Sequence, residues 1–414
     1  MSANLKDRHL ALVQSKVKLQ PTVLQVCATL GFGGSERIAL QAAEALQEAG
    51  GRSLISGAPG IMVDEIVARN IKFCPLPAEG YSPLNILSNI GRIARLIKEE
   101  NVDVVHIHNR APGWSALLAA RRTKTPTVST YHSAYGMGFA LKRRFNSVMA
   151  SADRVIISSN YIGGYMDAHH GPDPQRRVLI RNGMDLVRFD PQNVSKERID
   201  SLKRAWGIPE HRPIFVLPAR FTRLKGHSVV IEAIAQLQKW GLQDFLCLFV
   251  GDDRGRDPFR QELEQKMAQL GVCDLIRFAG ATSDMPAVYA LADFSLSSSL
   301  HSENLSLALI EASAMGLPVI ATRLGAAGEV IAAPPTVAPE ERTGWFVQPG
   351  NVMELAQAMR GVLQLSPAEK ERIGRRARLR MMTEFDVRTS LQRTLSLYQE
   401  LSGSQHLQNN VNAA

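Results

Sequence analysis

Short apolar runs without polar alternation recur along the chain, and stretches with helical spacing separate them. These runs occupy residues 22–30, 102–108, 127–132, 154–158, 213–218, 244–250, 275–279, 294–297 and 318–322. Continuous apolar runs of strand length are typical of strands that are buried on both faces of a parallel sheet. The repeated alternation of strand and helix therefore predicts a doubly wound α/β fold.

A polar stretch punctuated by proline, residues 190–213, interrupts this alternation. We therefore predict two Rossmann-like domains, residues 21–205 and 206–385, and each is long enough to form its own hydrophobic core. Residues 386–402 are predicted as a C-terminal helix that returns to the first domain. Residues 1–20 and 403–414 are predicted as polar tails.

A glycine-rich turn, residues 31–37, follows the first predicted strand. Gly33 and Gly34 let a ligand approach the backbone at a helix start, where free N–H groups attract anions. The turn is not a dinucleotide fingerprint, because Glu36 stands where the third glycine belongs and the next strand ends without an acidic residue. We predict a loop that faces a substrate; a plain tight turn is the alternative.

Histidines lie at or near the ends of two predicted strands in the first half. His106 and His108 are two residues apart, so they share one side of a strand, and no further ligand at a convincing spacing supports a metal site. We predict that His108 lines a ligand cleft and that His106 is a satisfied core residue. His132 ends the neighbouring strand and is a site candidate, with a hydrogen-bonded structural role as its alternative.

Two cations flank a strand–helix connection in the second half. Arg220 follows a strand and Lys225 precedes a helix, so together they predict a diphosphate cradle, although a solvated basic loop is the alternative. Glu303 is predicted on a loop and Glu311 on the helix that follows; they are eight residues apart, about two helical turns, and could approach one ligand from the same side. Because the segment between them is apolar, a buried Glu311 needs a hydrogen-bonding partner, and a nucleotide ribose fits that need.

These segments together resemble the retaining glycosyltransferases of family 4, which have the GT-B architecture of two facing Rossmann-like domains and an interdomain cleft. The resemblance runs from about Val23 to Leu401. It rests on the order and spacing of residues 33–37, 103–108, 180–185, 220–226, 303–320 and 343–347.

The resemblance implies a nucleotide-diphosphate sugar as donor and the following site residues. Arg220 and Lys225 would hold the diphosphate and Glu311 the ribose hydroxyls, while Glu303 and the amides of Asn304 and Leu305 would contact the sugar and the distal phosphate. In the first half, Gly33 and Gly34 would approach the donor, His132 would take part in catalysis, and His108 would lie on the acceptor side. Asn182, from the segment 180–185, is also placed on the acceptor side. The implied reaction is front-face transfer with retention, without a cofactor and without a metal.

The net charge is +9, with 48 Lys and Arg against 39 Asp and Glu, and the excess is uneven. Residues 1–205 hold 27 basic against 17 acidic side chains, whereas residues 206–414 hold 21 against 22. An amphipathic basic segment, residues 139–149, predicts an anionic membrane surface as a partner, and a helix packed on its own domain is the alternative. We therefore expect an anionic glycolipid or saccharide acceptor, such as one used in lipopolysaccharide or other cell-envelope polysaccharide biosynthesis.

Other signals narrow the setting. No apolar run has the length of a membrane span, the N-terminus lacks a signal-peptide pattern, and the four cysteines are far apart. We expect a cytoplasmic protein, peripheral at most on the inner face of the cytoplasmic membrane. Nucleic acid is not expected as a partner, because the basic stretch lacks interleaved aromatic residues. A sugar-nucleotide epimerase of the same architecture and a non-catalytic nucleotide-sugar-binding homologue are the alternative functions.

Overall fold

The computed structural model describes residues 21–31, 33–78, 83–135, 140–171, 173–252 and 258–413. The chain forms two compact units. The first unit contains the chain up to Ser158, then Ile162–Ile180, and the segment from Arg388 onward; the second contains Ser159–Tyr161 and Arg181–Val387. Each unit is built around one parallel sheet, so the predicted α/β fold is confirmed.

The first unit carries a seven-stranded sheet in the order β3-β2-β1-β4-β5-β6-β7. Its strands are β1 (Thr22–Thr29), β2 (Arg52–Ala58), β3 (Lys72–Pro75), β4 (Val104–Ile107), β5 (Thr127–Tyr131), β6 (Arg154–Ile157) and β7 (Arg177–Leu179). The helices between them are α1 (Gly34–Glu48), α2 (Val63–Ala68), α3 (Pro83–Glu99), α4 (Arg110–Thr123), α5 (Ala140–Asn146) and α6 (Asn160–His170).

The second unit carries a six-stranded sheet in the order β10-β9-β8-β11-β12-β13. Its strands are β8 (Ile214–Pro218), β9 (Leu246–Val250), β10 (Ile276–Gly280), β11 (Phe294–Ser297), β12 (Val319–Thr322) and β13 (Gly344–Val347). Its helices are α7 (Lys196–Ala205), α8 (His227–Lys239), α9 (Pro258–Leu270), α10 (Met285–Leu291), α11 (Leu307–Ala314), α12 (Ala327–Val330), α13 (Val352–Leu363) and α14 (Pro367–Glu384); α15 (Val387–Ala413) ends the described chain.

Alternate residues of the central strands bury their side chains in two separate cores. On β8, Val216 packs into the core on one face of the sheet, and Phe215 and Leu217 pack into the core on the other. Successive side chains of a strand point to opposite faces, so a strand needs a continuous apolar sequence when helices cover both faces. This requirement explains why the strands read as unbroken apolar runs.

Both sheets have the same strand order when their strands are counted from the start of each unit, apart from the added edge strand β7. The order reverses direction between β1 and β4 in the first sheet and between β8 and β11 in the second. Ligands of doubly wound sheets bind outside the carboxyl ends of the strands at such switch points. The two switch points therefore define where a site is expected in each unit.

The predicted domain boundary at residues 205/206 is wrong. Residues 181–205 cluster with the second unit. The reason is packing: Met184 forms a parallel bridge with Asp386, and Phe189 is buried in the second core with its ring 6.4 Å from that of Tyr289. The predicted tail at 403–414 also differs, since α15 continues to Ala413.

Within the described residues, no helix is both long enough and apolar enough to cross a membrane. Three of the four cysteines (Cys27, Cys74 and Cys247) are buried free thiols, while Cys273 is an exposed free thiol. Burial raises the pKa of the Cys27 and Cys247 thiols, because the thiolate is disfavoured away from water.

Candidate functional site

The switch point of the second sheet gathers the charged candidates of that unit. Arg220 follows β8 by two residues and is exposed, and Lys225 ends a short 3-10 turn just before α8. Glu303 lies in the segment between β11 and α11. The carboxyl ends of two neighbouring strands thus supply both cations and the acidic residue.

Gly226 fixes the position of Lys225. Its φ is +71°, and a Cβ at this residue would lie 2.0 Å from the backbone oxygen of Ser298. The Ser298 hydroxyl also donates to the backbone oxygen of Lys225 at 2.8 Å. Only glycine permits this left-handed conformation and this close approach together, so the loop before α8 is held against the end of β11.

Lys225 and Glu303 form an ion pair with Nζ and Oε1 2.5 Å apart. The Ser299 hydroxyl donates to the same carboxylate oxygen at 3.1 Å. Both charged side chains are part-exposed, at 22% for Lys225 and 30% for Glu303. The pair therefore holds the Lys225 ammonium at the strand ends in a place that solvent, and an anionic ligand, can reach.

The backbone of Glu303 is held as tightly as its side chain. The Ala326 amide donates to the Glu303 backbone oxygen at 3.0 Å. At Gly325, φ is +54° and a Cβ would lie 1.9 Å from that same oxygen. The segment after β12 therefore packs closely against the Glu303 loop and bonds to it. The spacing of the two glutamates did not predict this contact.

Glu311 lies on α11, and Tyr289 of α10 donates its hydroxyl proton to Oε2 at 2.9 Å. Burial raises the pKa of Glu311 to about 7, although the Tyr289 hydrogen bond and the charge of Arg188 act in the opposite direction. The pKa of the Tyr289 hydroxyl is raised well above its usual value by burial and by the neighbouring carboxylate. The hydrogen-bonding partner that a buried Glu311 requires is thus a tyrosine of the same unit.

Glu303 lies on a loop, and Glu311 lies on the helix that follows it, since helix α11 begins at Leu307. Between them, Asn304 accepts a hydrogen bond from the Ser159 hydroxyl at 2.7 Å through Oδ1, and Leu305 is buried. The Asn304 side chain is therefore engaged within the second unit.

The glycine-rich turn of the first unit lies at the switch point of the first sheet. Gly33 precedes α1, and a Cβ there would lie 1.9 Å from Oε2 of Glu36, whereas a Cβ at Gly34 meets no described atom within 4 Å. The Ser35 hydroxyl donates to Glu36 at 2.9 Å. The close atom at Gly33 is the end of the Glu36 side chain, which could move aside, and Gly34 faces open space among the described residues.

His108 does not line a cleft, contrary to the prediction, because it is fully buried. Its ring lies between His106 and His132, with centroid distances of 4.1 Å and 5.7 Å. Nε2 of His108 is 2.8 Å from Oε1 of Gln25, and Nδ1 is 3.4 Å from Nε2 of His132. His132 remains partly accessible at the end of β5. Of the two predicted site histidines, only His132 reaches the surface.

The described part of the basic segment 139–149 packs on its own unit at one end. Val148 is buried, and its side chain lies so close to Gly113 that a Cβ there would be 3.3 Å from it. The Trp114 indole donates to the Phe145 backbone oxygen at 3.0 Å. Lys142, Arg143 and Arg144 are exposed. Phe139 lies outside the described residues. The predicted apolar face is therefore used internally at Val148, while the three cations face solvent.

Several further residues near the two switch points make hydrogen bonds that the sequence did not predict. Glu329 accepts hydrogen bonds from the amides of Asn160 and Tyr161 at 3.0 and 2.9 Å and pairs with Arg181 at 3.5 Å. It therefore holds the backbone of Asn160 and Tyr161, which belong to the second unit. Asn182, predicted on the acceptor side, also belongs to the second unit. Tyr289, Gln25 and Tyr398 carry no local motif.

No group of three His, Cys, Asp or Glu side chains with the geometry of a metal site occurs within the ranges that the structure describes.

Family models match both units. Residues 32–188 match the model described as Glycosyltransferase Family 4, and residues 198–380 match the model described as Glycosyl transferases group 1. Among solved structures, a glycosyltransferase from Rickettsia africae has 29% identity and a TM-score of 0.84, and the match covers 92% of this chain and 98% of that one.

The curated relatives match a smaller part of the chain. A D-inositol 3-phosphate glycosyltransferase from Salinispora arenicola is 30% identical over 54% of this chain and 54% of its own length, so the chain spans about half the length of the curated relatives it matches. The Anabaena protein HepE, solved in complex with UDP-glucose, shares 21% identity and a TM-score of 0.76 over 92% of this chain and 99% of that one, which shows the GT-B fold alone. With both units matched, the resemblance seen in the sequence is confirmed: the chain belongs to the family 4 glycosyltransferases.

Proposed function

We propose that the protein transfers a sugar, with retention, from a nucleotide-diphosphate sugar to a hydroxyl of a saccharide or glycolipid acceptor. The observation that carries this proposal is the Lys225–Glu303 pair at the switch point of the second sheet, beside the exposed Arg220. The pair offers a cation for phosphate and an anion for sugar hydroxyls in one place. That the fold of HepE holds UDP-glucose in its own structure supports the donor class.

Each donor group has a matching residue. Arg220 and Lys225 hold the diphosphate, because cations beside a helix N-terminus attract phosphate. Ionised Glu311 accepts hydrogen bonds from the ribose hydroxyls. Glu303, with the amides of Asn304 and Leu305, contacts the sugar and the distal phosphate. Gly33 and Gly34 allow a substrate to approach the backbone at the start of α1.

In the proposed reaction the bond between the anomeric carbon and the phosphate oxygen breaks, and a bond from the acceptor oxygen to that carbon forms on the same face. The acceptor hydroxyl proton passes to the departing phosphate oxygen, so charge and atoms balance. Arg220 and Lys225 stabilise the negative charge that develops on the diphosphate. His132 binds a substrate hydroxyl and takes part in catalysis.

The test is turnover with a donor chosen by a thermal-shift screen of UDP, GDP, ADP and their sugars. We expect Lys225→Ala and Arg220→Ala to lower kcat at saturating donor at least tenfold, about 1.4 kcal/mol in barrier height. Arg223→Ala is the matched control, because Arg223 lies in the same loop, is 70% exposed and pairs with Glu262 at 2.7 Å. Full turnover by either of the first two variants would overturn the phosphate assignment.

The same assay separates the proposal from its closest competitor. A sugar-nucleotide epimerase acts without an acceptor, so conversion of the donor sugar in an acceptor-free reaction would replace transfer as the function. Binding of a nucleotide sugar with no conversion, with or without acceptors, would indicate a non-catalytic homologue. Product that keeps the anomeric configuration of the donor supports retention, and an inverted product would contradict it.

We propose that no metal ion takes part in the reaction. The cationic side chains of Arg220 and Lys225 and the start of α8 supply positive charge where the leaving group departs. We expect turnover to be unchanged after dialysis against EDTA. A loss that Mg²⁺ or Mn²⁺ restores would contradict this proposal.

We also propose that an anionic cell-envelope glycolipid is the acceptor and that the exposed cations Lys142, Arg143 and Arg144 bring the protein to its membrane. Flotation with vesicles of phosphatidylcholine, with and without phosphatidylglycerol, tests this. We expect binding only with the anionic lipid and its loss at high salt and in a variant with all three cations replaced by Ser. Arg121→Ser with Arg122→Ser is a control for charge elsewhere on the unit. Absence of salt-dependent binding would contradict the proposal.

A further inference from the structure

Two polar side chains from helices α10 and α11 meet inside the second unit. Tyr289 is 1% exposed, and its hydroxyl oxygen lies 2.9 Å from Oε2 of Glu311. The same hydroxyl is 3.4 Å from the backbone oxygen of Ala308, three residues earlier on α11. Within the described residues, Glu311 makes no other side-chain hydrogen bond, so Oε1 is the carboxylate oxygen that remains for a ligand.

The direction of this hydrogen bond follows from the charge of Glu311. An ionised carboxylate has no proton and the Ala308 carbonyl oxygen can only accept, so the Tyr289 hydroxyl must donate whenever Glu311 is ionised. The 2.9 Å contact is the shorter of the two, so Oε2 is the main acceptor. A hydrogen bond to a charged group is stronger than one between neutral groups, so this bond favours the ionised carboxylate.

Helix α10, which carries Tyr289, is fixed by its surroundings. The Asp284 carboxylate accepts from the Ala287 amide at the helix start, and Arg198 of α7 donates to it through Nε at 2.9 Å. The Tyr289 ring is buried in the core of the second unit, 6.4 Å from the ring of Phe189. A tyrosine side chain has two χ angles, and this packing orders both of them. The hydroxyl is therefore a fixed partner for the longer and more flexible glutamate.

Other charged groups near α11 act less directly on this carboxyl. Burial raises the pKa of Glu311 to about 7, while the Tyr289 hydrogen bond and the charge of Arg188 lower it. Arg378 of α14 and Glu329 of α12 belong to helices that pack on α11, and each of them has an ion pair of its own. Tyr289 is thus the group that contacts the carboxylate directly.

We propose that Tyr289 is a positioning residue for the donor: its hydroxyl holds Oε2 of Glu311 and leaves Oε1 to accept from a ribose hydroxyl. The ribose contact rests on the proposed function, whereas the bond between Tyr289 and Glu311 does not. Tyr289 acts on the donor only through Glu311, so its removal should have no effect on donor binding once the carboxylate is absent.

The first test is a titration of Glu311 by nuclear magnetic resonance. The full-length protein carries 13C at the side-chain carboxyl carbon of its glutamates, and Glu311→Gln assigns the signal. We expect Tyr289→Phe to raise the pKa of Glu311, with the midpoint of its titration moving upward by about one pH unit. Tyr289→Met serves if Tyr289→Phe does not fold. An unchanged midpoint would overturn the proposal.

Tyr161→Phe is the matched control for this titration. It also removes one tyrosine hydroxyl from the second unit, and Tyr161 packs against the same core. Glu311 has its hydrogen bond from Tyr289 and not from Tyr161. We expect the control to keep the wild-type midpoint. A shift as large as that of Tyr289→Phe would show that the cause is a general loosening of the core.

Calorimetry with the intact sugar nucleotide tests the positioning role. We expect Tyr289→Phe to weaken binding about tenfold at pH 7.5 and to keep part of that loss at pH 9, where Glu311 is ionised in both proteins. Full recovery at pH 9 would show that the bond only keeps Glu311 ionised, which would overturn positioning.

A double-mutant cycle separates action through Glu311 from any other effect. In a Glu311→Gln background, we expect Tyr289→Phe to leave donor affinity unchanged. An equal loss in that background would contradict the proposal. If no nucleotide sugar binds the wild type, the proposed function fails and the donor role of Tyr289 fails with it. Normal donor binding with an unshifted Glu311 midpoint in Tyr289→Phe would overturn this inference alone.

Discussion

The charged and titratable groups near the two switch points differ in burial and in sign. In the first unit, the buried side chains of His106 and His108 lie next to His132, and burial lowers the pKa of all three histidines. In the second, a part-exposed ion pair accompanies a buried acid, Glu311. Burial disfavours the charged form of every group, so it lowers the pKa of a histidine and raises that of a carboxyl. The first unit should therefore lose stability in acid, whereas in the second unit the effects of a buried histidine and a buried carboxyl oppose each other, and that contrast can be measured.

The largest expected effect is the loss of stability of the first unit in acid. The folded-state pKa of His106 is about 3 and that of His132 about 4, both below 6.5, the usual value for histidine in an unfolded chain. The unfolded chain therefore binds more protons below pH 6.5, and stability falls as the pH decreases. Between pH 7 and 5 each of these two residues costs roughly 2 kcal/mol.

Hydrogen exchange of peptides, corrected for intrinsic rates, measures this effect unit by unit. We expect protection of β4 and β5 to decrease strongly between pH 7 and 5. In the second unit, His227 is the buried histidine, with its pKa lowered to about 4 by burial among aromatic rings, and Glu311 acts against it. We expect little change in β8 and β11. Equal losses in both sheets would contradict the comparison.

Glu311 gives the next largest effect. Its folded-state pKa of about 7 lies above the usual 4.5, so the folded protein binds more protons between these values and stability decreases as the pH rises through this window. Above pH 7 the ionised carboxylate costs at most about 3 kcal/mol. We expect Glu311→Gln to increase the free energy of unfolding at pH 8, and not at pH 4.5.

Chemical denaturation at the two pH values tests this expectation. Glu232→Gln is the control on the same unit, because Glu232 is 40% exposed and pairs with Lys266 at the surface. A stabilisation that is equal at both pH values would show that ionisation of Glu311 is not its cause.

Donor binding should have the inverse dependence on the same carboxyl. Only the ionised form of Glu311 accepts hydrogen bonds from both ribose hydroxyls, so affinity for a nucleotide sugar should increase as the pH rises through about 7. We expect binding at pH 6 to be about tenfold weaker than at pH 8, since a group with this pKa is mostly protonated at the lower value. Calorimetry with the intact sugar nucleotide avoids titration of a terminal phosphate. Glu311→Gln should bind weakly at both pH values, and a wild-type affinity independent of pH would contradict the ribose role.

The contrast between the units also explains what the sequence could predict. Arg220, Lys225 and Glu303 lie next to strands that their apolar composition identifies, so the strand ends that place them could be read from the sequence. The fold followed from the same runs. The place of these three charged residues at the strand ends was therefore predictable, and their role in a site stays a prediction.

The hydrogen bonds among the buried polar side chains of the first unit were not predictable, because these side chains come from separate segments of the sequence. Gln25 and His106 pair across neighbouring strands, while Tyr398 comes from α15. Burial of His108 depends on that packing and not on its place after β4, which is why the cleft-lining interpretation failed. Tyr289 was missed for the same reason, since its partner Glu311 lies on another helix. Contacts between residues that are distant in sequence are seen only in the folded structure.

The smallest expected effect sharpens the role of the exposed ion pair. In the second unit, Glu303 neutralises Lys225 when no phosphate is present, so it competes with the donor diphosphate for that cation. We expect Glu303→Gln to bind the free nucleoside diphosphate a few-fold more tightly, since the loss of a nearby negative charge is worth about 1 kcal/mol at a part-exposed site. The same variant should transfer sugar more slowly, because the sugar loses a charged partner and the product leaves less readily. Glu262→Gln, which frees Arg223 in the same loop, is the matched control and should change neither quantity. Calorimetric titration with the nucleoside diphosphate at low and at physiological salt measures the gain, which should shrink as salt screens the charges. Weaker binding by Glu303→Gln would mean that the carboxylate holds Lys225 in place for phosphate more than it competes for it, and the two roles of this pair would have to be exchanged.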